Sequence, residues 1–492
     1  MPLSPLAPTF RINSVNANNQ SGPDLTPLLN GRFAATWFDI GSTIGDIKVQ
    51  VFGRDGAPIG GESVVNTNVN GTLARTQENP TITGLLNGGF VVAWDDVTGT
   101  ATGSDIRYRV YDGNGRAVTD QLTATSASGN QFAASIAATA NGGFVVAWSG
   151  QNDGVLQAQQ YNAFGLPVGG PIAITAAPNT GPRESAIANA GQELAFVFRD
   201  INNGVTGDGI YARVTTGFPA GPGSANRIDP GTGFDQQPPQ GTEGHGPPDV
   251  AYGGVNGVTP AYVWSNQFGI GAVRQNDVIL NFAGSTRVVN TTTVGDQIDA
   301  AITPLPNGGF LTVWTHQDRS AGFIAEIRGQ EISATGANVG GEIVFSNVGA
   351  IASLPKVAAN ADGRVLVSWT ETGATTNGTD ILGRFFTAGI ASTVPTTPQP
   401  IVGTAGNDVV IGGSGLDTYR IAANRAETGV LATTIDTFVT DRVAGRNGAD
   451  VLSNIERIRF NDGTLALDTA LPGFGASNAG SAYRLYEAAF NR

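Results

Sequence analysis

The 492-residue chain has no cysteine, one methionine and two histidines, His245 and His316. Without cysteine it can form no disulfide, iron–sulfur cluster, thiolate zinc site or cysteine nucleophile. Two histidines leave almost nothing for a histidine-based metal centre. Charged residues make up only 14%, against the usual quarter, and acids outnumber Lys plus Arg by 40 to 27, for a net charge of −13. A chain of that sign repels phosphate backbones and anionic lipid, so nucleic acid and membrane surfaces are poor partners. There is no apolar run of 18 residues, so no membrane-spanning helix is expected. Met1 to Asn16 has neither a basic nor an apolar stretch, so a cleaved N-terminal export signal is not expected. What the chain does have is glycine, 69 of 492, which marks a turn-rich protein.

One phrase recurs through the first 390 residues. It reads NGRFAATW to Trp37, NGGFVVAW to Trp94 and again to Trp148, NGGFLTVW to Trp314 and DGRVLVSW to Trp369, with weaker copies ending at Phe198 and Trp264. All six tryptophans fall at this position, at intervals of 57, 54, 50, 66, 50 and 55 residues. Asn-Gly or Asp-Gly before a β-favouring run is a hairpin signal, and a second hairpin follows, as in Asp105 to Thr125. Four short strands per unit, seven times over, predict an all-β fold, a seven-bladed β-propeller over residues 1–389. Its last unit lacks a fourth strand. Phe10 to Val15 (FRINSV) resembles the fourth-strand phrase ESVVNT and is expected to supply it. The tryptophans read as wedges between sheets, with sugar stacking as the alternative. A Gly/Pro-rich excursion between Val214 and Asp249 is either a binding loop or a tolerated insertion.

Residues 390–402 read as a Pro/Thr linker. Beyond it, Gly403 to Ile411 (GTAGNDVVI) and Gly412 to Arg420 (GGSGLDTYR) are consecutive nonapeptides with glycine at the first and fourth positions and aspartate at the sixth. They resemble the RTX family, the hemolysin-type calcium-binding repeats of secreted bacterial proteins. The resemblance implies a short RTX-like parallel β-roll over 403–475, with Ca²⁺ held by Gly403, Ala405, Asp408, Gly412, Ser414 and Asp417. The oxygen-only donor set suits that ion. A complete site in that family is shared by loops two repeats apart, and neither flanking nonapeptide matches, so both half-sites lack an obvious partner. Asn461-Asp462-Gly463 signals a capping hairpin between Ile455–Phe460 and Thr464–Leu467. Tyr483, Tyr486 and Phe490 mark a C-terminal amphipathic helix over 476–492, which looks like the first helix of a domain often attached to RTX proteins. The propeller units likewise resemble the GGFVVxW repeats of bacterial type I secreted surface proteins.

No catalytic motif is recognisable, whether G-x-S-x-G, H-E-x-x-H, P-loop or dinucleotide fingerprint. Both histidines read as surface residues, and Asp95 and Asp96 as loop-forming acids, with a carboxylate pair as the alternative. The expected function is therefore non-enzymatic. It is that of a secreted or cell-surface adhesion or assembly module, binding surface polysaccharide, another surface protein or itself, with calcium-assisted folding of the C-terminal part. The alternative is a secreted hydrolase or lyase acting on polysaccharide.

Overall fold

The computed structural model describes residues 3–466 apart from connecting segments, chiefly 68–74, 176–181, 201–208, 219–224, 230–247, 269–274, 389–399, 403–408 and 412–416. Most of the Gly/Pro-rich excursion, His245 and the expected C-terminal helix lie outside the described residues. The chain divides into two compact units, Met1–Ile390 and Ala391–Arg492.

In the first unit, antiparallel sheets follow one another as four-stranded meanders, beginning with Asn19–Pro27, Phe33–Ile40, Gly45–Phe52 and Pro58–Val64. The sixth and seventh sheets are joined by a single bridge from Ala325 to Ile351. The first strand of each sheet packs against the first strand of the next, and that of the seventh, Ile351–Ala359, against that of the first. The ring is therefore closed, with the first strands innermost: a β-propeller.

The repeated phrase forms the turn between the first and second strands and then the second strand itself. In NGG, the asparagine carbonyl accepts the N–H of the second glycine, as in Asn87 with Gly89 (3.0 Å) and Asn307 with Gly309 (2.9 Å). The first glycine turns left-handed, with φ of 84° at Gly88. The second is required by close approach, because a Cβ on Gly89 would overlap the Tyr111 carbonyl oxygen. The tryptophans are wedges. Trp94 buries against Ile47, Val49 and Val51 of the preceding sheet, and Trp148 against Ile106, Tyr108 and Val110.

The seventh sheet takes its outer strand from the other end of the unit, where Phe10 and Arg11 pair with Gly383 and Leu382. A repeated capping bond fixes the register. In four sheets the side chain two residues beyond the outer strand accepts an N–H near the start of the third strand: Asn66 from Ile47 (2.9 Å), Asn290 from Val278 (2.8 Å), Ser346 from Ile327 (3.0 Å), and Asn13 from Ile381 (2.8 Å). FRIN thus stands in the seventh sheet as SVVN does in the first. Ser4–Pro5 adds a further short pairing to the same strand.

The second unit contains two four-stranded sheets. Pro400–Val402, Val409–Ile411 and Thr418–Arg420 start nine residues apart and fall alternately in one sheet and the other, so the linker's last three residues belong to a sheet. Pro400 is level with Thr418 in a parallel pair, an offset of two nonapeptides. The expected hairpin is present as Arg457–Arg459 and Thr464–Ala466. The core comprises Val410, Tyr419, Ile421, Val439, Leu452 and Ile458.

Candidate functional site

The inner strands leave one backbone edge facing the bore, and such an edge must be satisfied or solvated. Here side chains from the preceding sheet satisfy much of it. Asp24 accepts the N–H of Ile82 (2.9 Å) and Asp249 that of Ile302 (3.0 Å), while Thr26 takes Gly84 (2.8 Å) and Thr370 takes Gly22 (3.2 Å). Most inner strands also carry a bulge with a left-handed residue: Gly22, Asn79, Ala133, Glu184, Asp299 and Leu354. A buried relay lies beside three of these bulges. The Trp37, Trp94 and Trp314 indoles donate to Gln20, Gln77 and Gln297, each 17 residues earlier. Gln20 and Gln77 in turn donate to Asp39 and Asp96.

At the inner-strand position of Asp24, the seventh sheet carries Lys356. Burial pulls the Lys356 ammonium towards neutrality, but the carboxylates of Asp24, Asp249 and Asp299 outweigh it and hold the group above the usual lysine range. Burial raises Asp24, against the pull of Lys356 and two backbone N–H groups.

The second sheet departs from the others. Asp95 follows Trp94 at the position held by Thr315 and Thr370 elsewhere, and is 1% exposed. It accepts the Asn79 amide (2.9 Å) and the N–H groups of Ala133 (3.0 Å) and Ala134 (3.3 Å) in the next sheet. Directly across the ladder from Asp95 stands Glu78, half-buried, with no hydrogen bond to its carboxylate among the described residues. Opposed residues share a face and lie close together. Burial pushes Asp95 up to about 6, against its three donors, and Glu78 repels its charge; burial alone raises Glu78. A hydroxyl does the stapling at Thr370, so a buried carboxylate is not needed for that task.

Three sequence expectations change here. Asp95 and Asp96 are strand residues, not loop acids, because the second strand runs on from Phe90 to Thr98. Asp96 is tied to Gln77 (2.7 Å) and Arg107 (3.1 Å), which leaves Glu78 as the partner that sequence reasoning missed. His316 is 4% exposed rather than at the surface; burial lowers its pKa, and Nδ1 lies 3.1 Å from Gln297 Oε1. The pattern Gln-x16-Trp was available in the sequence and would have found the relay.

Of the expected calcium ligands, Asp417 is described and buried, whereas Gly403, Ala405, Asp408, Gly412 and Ser414 lie outside the described residues. The register reveals a third nonapeptide. Val409, which follows Asp408, is level with Val451, which follows Asp450. Gly445 to Ser453 (GRNGADVLS) repeats the pattern, with Gly445, Gly448 and Asp450. Residues 421–444 separate it from the first two copies, which hid it from a search for adjacent repeats. Asp450 is buried and accepts the Tyr419 hydroxyl at 2.7 Å.

Neither a family model nor a curated protein sequence matches the chain, so the RTX resemblance has no support from that side. Similar solved structures are β-propeller proteins. The polysaccharide lyase Uly1 is 8% identical with a TM-score of 0.50, over 78% of this chain and 100% of that one. The Penicillium chrysogenum α-L-arabinanase is 10% identical at TM-score 0.45, over 77% and 99%. The propeller domain of the trilobed protease from Pyrococcus furiosus is 8% identical at 0.44, over 76% and 94%. The expectation of a non-enzyme is corrected by the first of these. An enzyme is built on the same fold, so missing sequence motifs give no ground for excluding chemistry.

Proposed function

We propose that the propeller unit is a polysaccharide-processing enzyme with Glu78 and Asp95 as its acid/base pair. The observation that carries this is the unanchored Glu78 carboxylate set across the ladder from a buried Asp95, both with raised proton affinity. Glycoside cleavage needs a carboxyl that keeps its proton near neutrality beside one that can take a proton. Asn79 and the two backbone N–H groups orient Asp95. The test is release of new chain ends from polysaccharides by the full chain. Glu78→Gln and Asp95→Asn should each lower the rate by about 100-fold or more with the circular dichroism unchanged. Wild-type rates in both variants would overturn the assignment.

For the second unit we infer a calcium-stabilised roll of a secreted, extracellular protein. The parallel register between Val409–Ile411 and Val451–Ser453 supports it, because it supplies the stacked partner copy that such a site requires. Carboxylates and main-chain carbonyls suit Ca²⁺, and the ligands would be Asp408, Asp417 and Asp450 with carbonyls of the glycine turns.

A further inference from the structure

Several sheets carry a facing pair of titratable side chains at one place, two residues beyond the tryptophan on the second strand and directly across the ladder on the third. The pairs are Asp39 with Asp46, Asp96 with Asp105, His316 with Glu326 and, in the seventh sheet, Glu371 with Asp380. In the first, second and sixth sheets two further groups stand beside the pair. Gln20, Gln77 or Gln297 on the first strand is level with its second-strand member, and Lys48, Arg107 or Arg328 on the third strand is level with the tryptophan. The cation lies 3.6 Å from Asp39 at Lys48 and 3.1 Å from Asp96 at Arg107. In the seventh sheet Ala352 takes the place of the glutamine and Leu382 that of the cation. With alanine there, the Trp369 indole donates to Glu371 itself (3.0 Å). Glu371 and Asp380 are 5% and 1% exposed. Like charges opposed across a ladder repel, and burial of both favours keeping one of them neutral.

We propose that Glu371 and Asp380 share one proton at the seam of the ring, and that its loss loosens the N-terminal strand, so that the ring opens more readily as pH rises. Asn13 links the pair to that strand. Its amide donates to Asp380 (2.8 Å) and its side-chain carbonyl accepts the Ile381 N–H (2.8 Å), while the Ile12 N–H donates to the Ile381 carbonyl (2.8 Å). The same clasp in the first sheet, Asn66 on Asp46 (2.9 Å) and Ile47 (2.9 Å), joins strands of one meander. In the seventh it joins the two ends of the unit. With both acids ionised, repulsion across the ladder pushes Asp380 from the position in which it holds Asn13. Burial raises Glu371, against the Trp369 indole, and the Asp380 charge adds to the rise. The sixth sheet turns the apolar Val313, Ile327 and Phe345 towards Trp369 on this face. Arg11, level with Leu382 on the outer strand, is exposed, where water screens its charge. Glu62 of the first sheet accepts the N–H groups of Ser14 (2.6 Å) and Val15 (3.3 Å), just beyond the clasp. The folded protein thus binds the shared proton more tightly than the unfolded chain does. The stability it brings is complete below the ordinary glutamate range and is lost as pH rises through the raised value.

The experiment follows amide exchange of the full chain between about pH 5 and 9, corrected for intrinsic rates, in peptides covering the N-terminal strand and Thr379–Thr387. In wild type, protection at this seam is expected to fall as pH rises, by about tenfold for each unit by which folding raises the pKa of the pair. Peptides around Trp148 and Trp264 should keep theirs. Glu371→Gln should hold its protection across the range, because glutamine still accepts from the Trp369 indole, as Gln20 does from Trp37, and has no proton to lose. Asp380→Asn should hold it as well, and replaces the first variant if circular dichroism shows that one to be poorly folded. Protection that falls equally in wild type and variant, or that does not change with pH in wild type, would overturn the shared proton.

Discussion

Asp95 joins two tasks that other sheets keep apart, stapling one inner strand to the next and holding a proton. The second has a signature in stability. Because burial raises its pKa from the ordinary 3.8 to about 6, the folded protein binds the proton more tightly than the unfolded chain does. Stability from this group is full below about pH 4, falls as pH rises towards 6, and is flat above. A displacement of that size is worth on the order of 3 kcal/mol. Urea denaturation between pH 4 and 7 should show this decline in wild type, and Asp95→Asn should remove it. A decline of equal slope in both proteins would place the titration elsewhere. The sequence made Asp95 visible, since it stands after a repeated tryptophan. It did not make Glu78 visible, because pairing across a ladder depends on a bulge at Asn79 whose shift of one residue leaves no mark in composition.

At the scale of the element, the repeat was legible because each glycine of its turn answers a backbone need and each tryptophan a packing need. The third nonapeptide was not, since a hairpin of Thr428–Ala432 and Asp436–Asp441 interrupts it and only strand register restores the alignment. The strand that seals the ring was legible as FRINSV against ESVVNT, and the structure sets Asn13 level with Asn66. Its contribution can be isolated. Asn13→Ala breaks the bonds to the Ile381 N–H (2.8 Å) and to Asp380 (2.8 Å), both buried, and should cost about 1–3 kcal/mol, read as a lower midpoint in urea. Removing residues 1–16 also strips Ile12 and Phe10 from the core beside Phe385 and exposes the edge of Thr379–Thr387. That protein should aggregate on light scattering; an unchanged midpoint and a monodisperse profile would show the strand to be dispensable.

For the molecule as a whole, the two units should respond differently to calcium. Amide exchange followed with and without the ion should show protection rising between residues 400 and 466 in wild type and not in a protein carrying Asp408→Ala, Asp417→Ala and Asp450→Ala. Peptides around Trp94 and Trp148 should stay unchanged. Protection independent of calcium in both proteins would make the roll metal-free. The sealed ring carries a consequence for biosynthesis. Arg11 leaves the ribosome about 370 residues before Leu382, the partner it must find. At about 5–20 residues per second, that is roughly 20 to 75 seconds during which the first strand to be made waits for the last. The blades can stack in order of synthesis while their circle stays open, so folding of this unit is finished only once Leu382 has emerged, by an event whose two halves were the earliest and latest parts of it to appear.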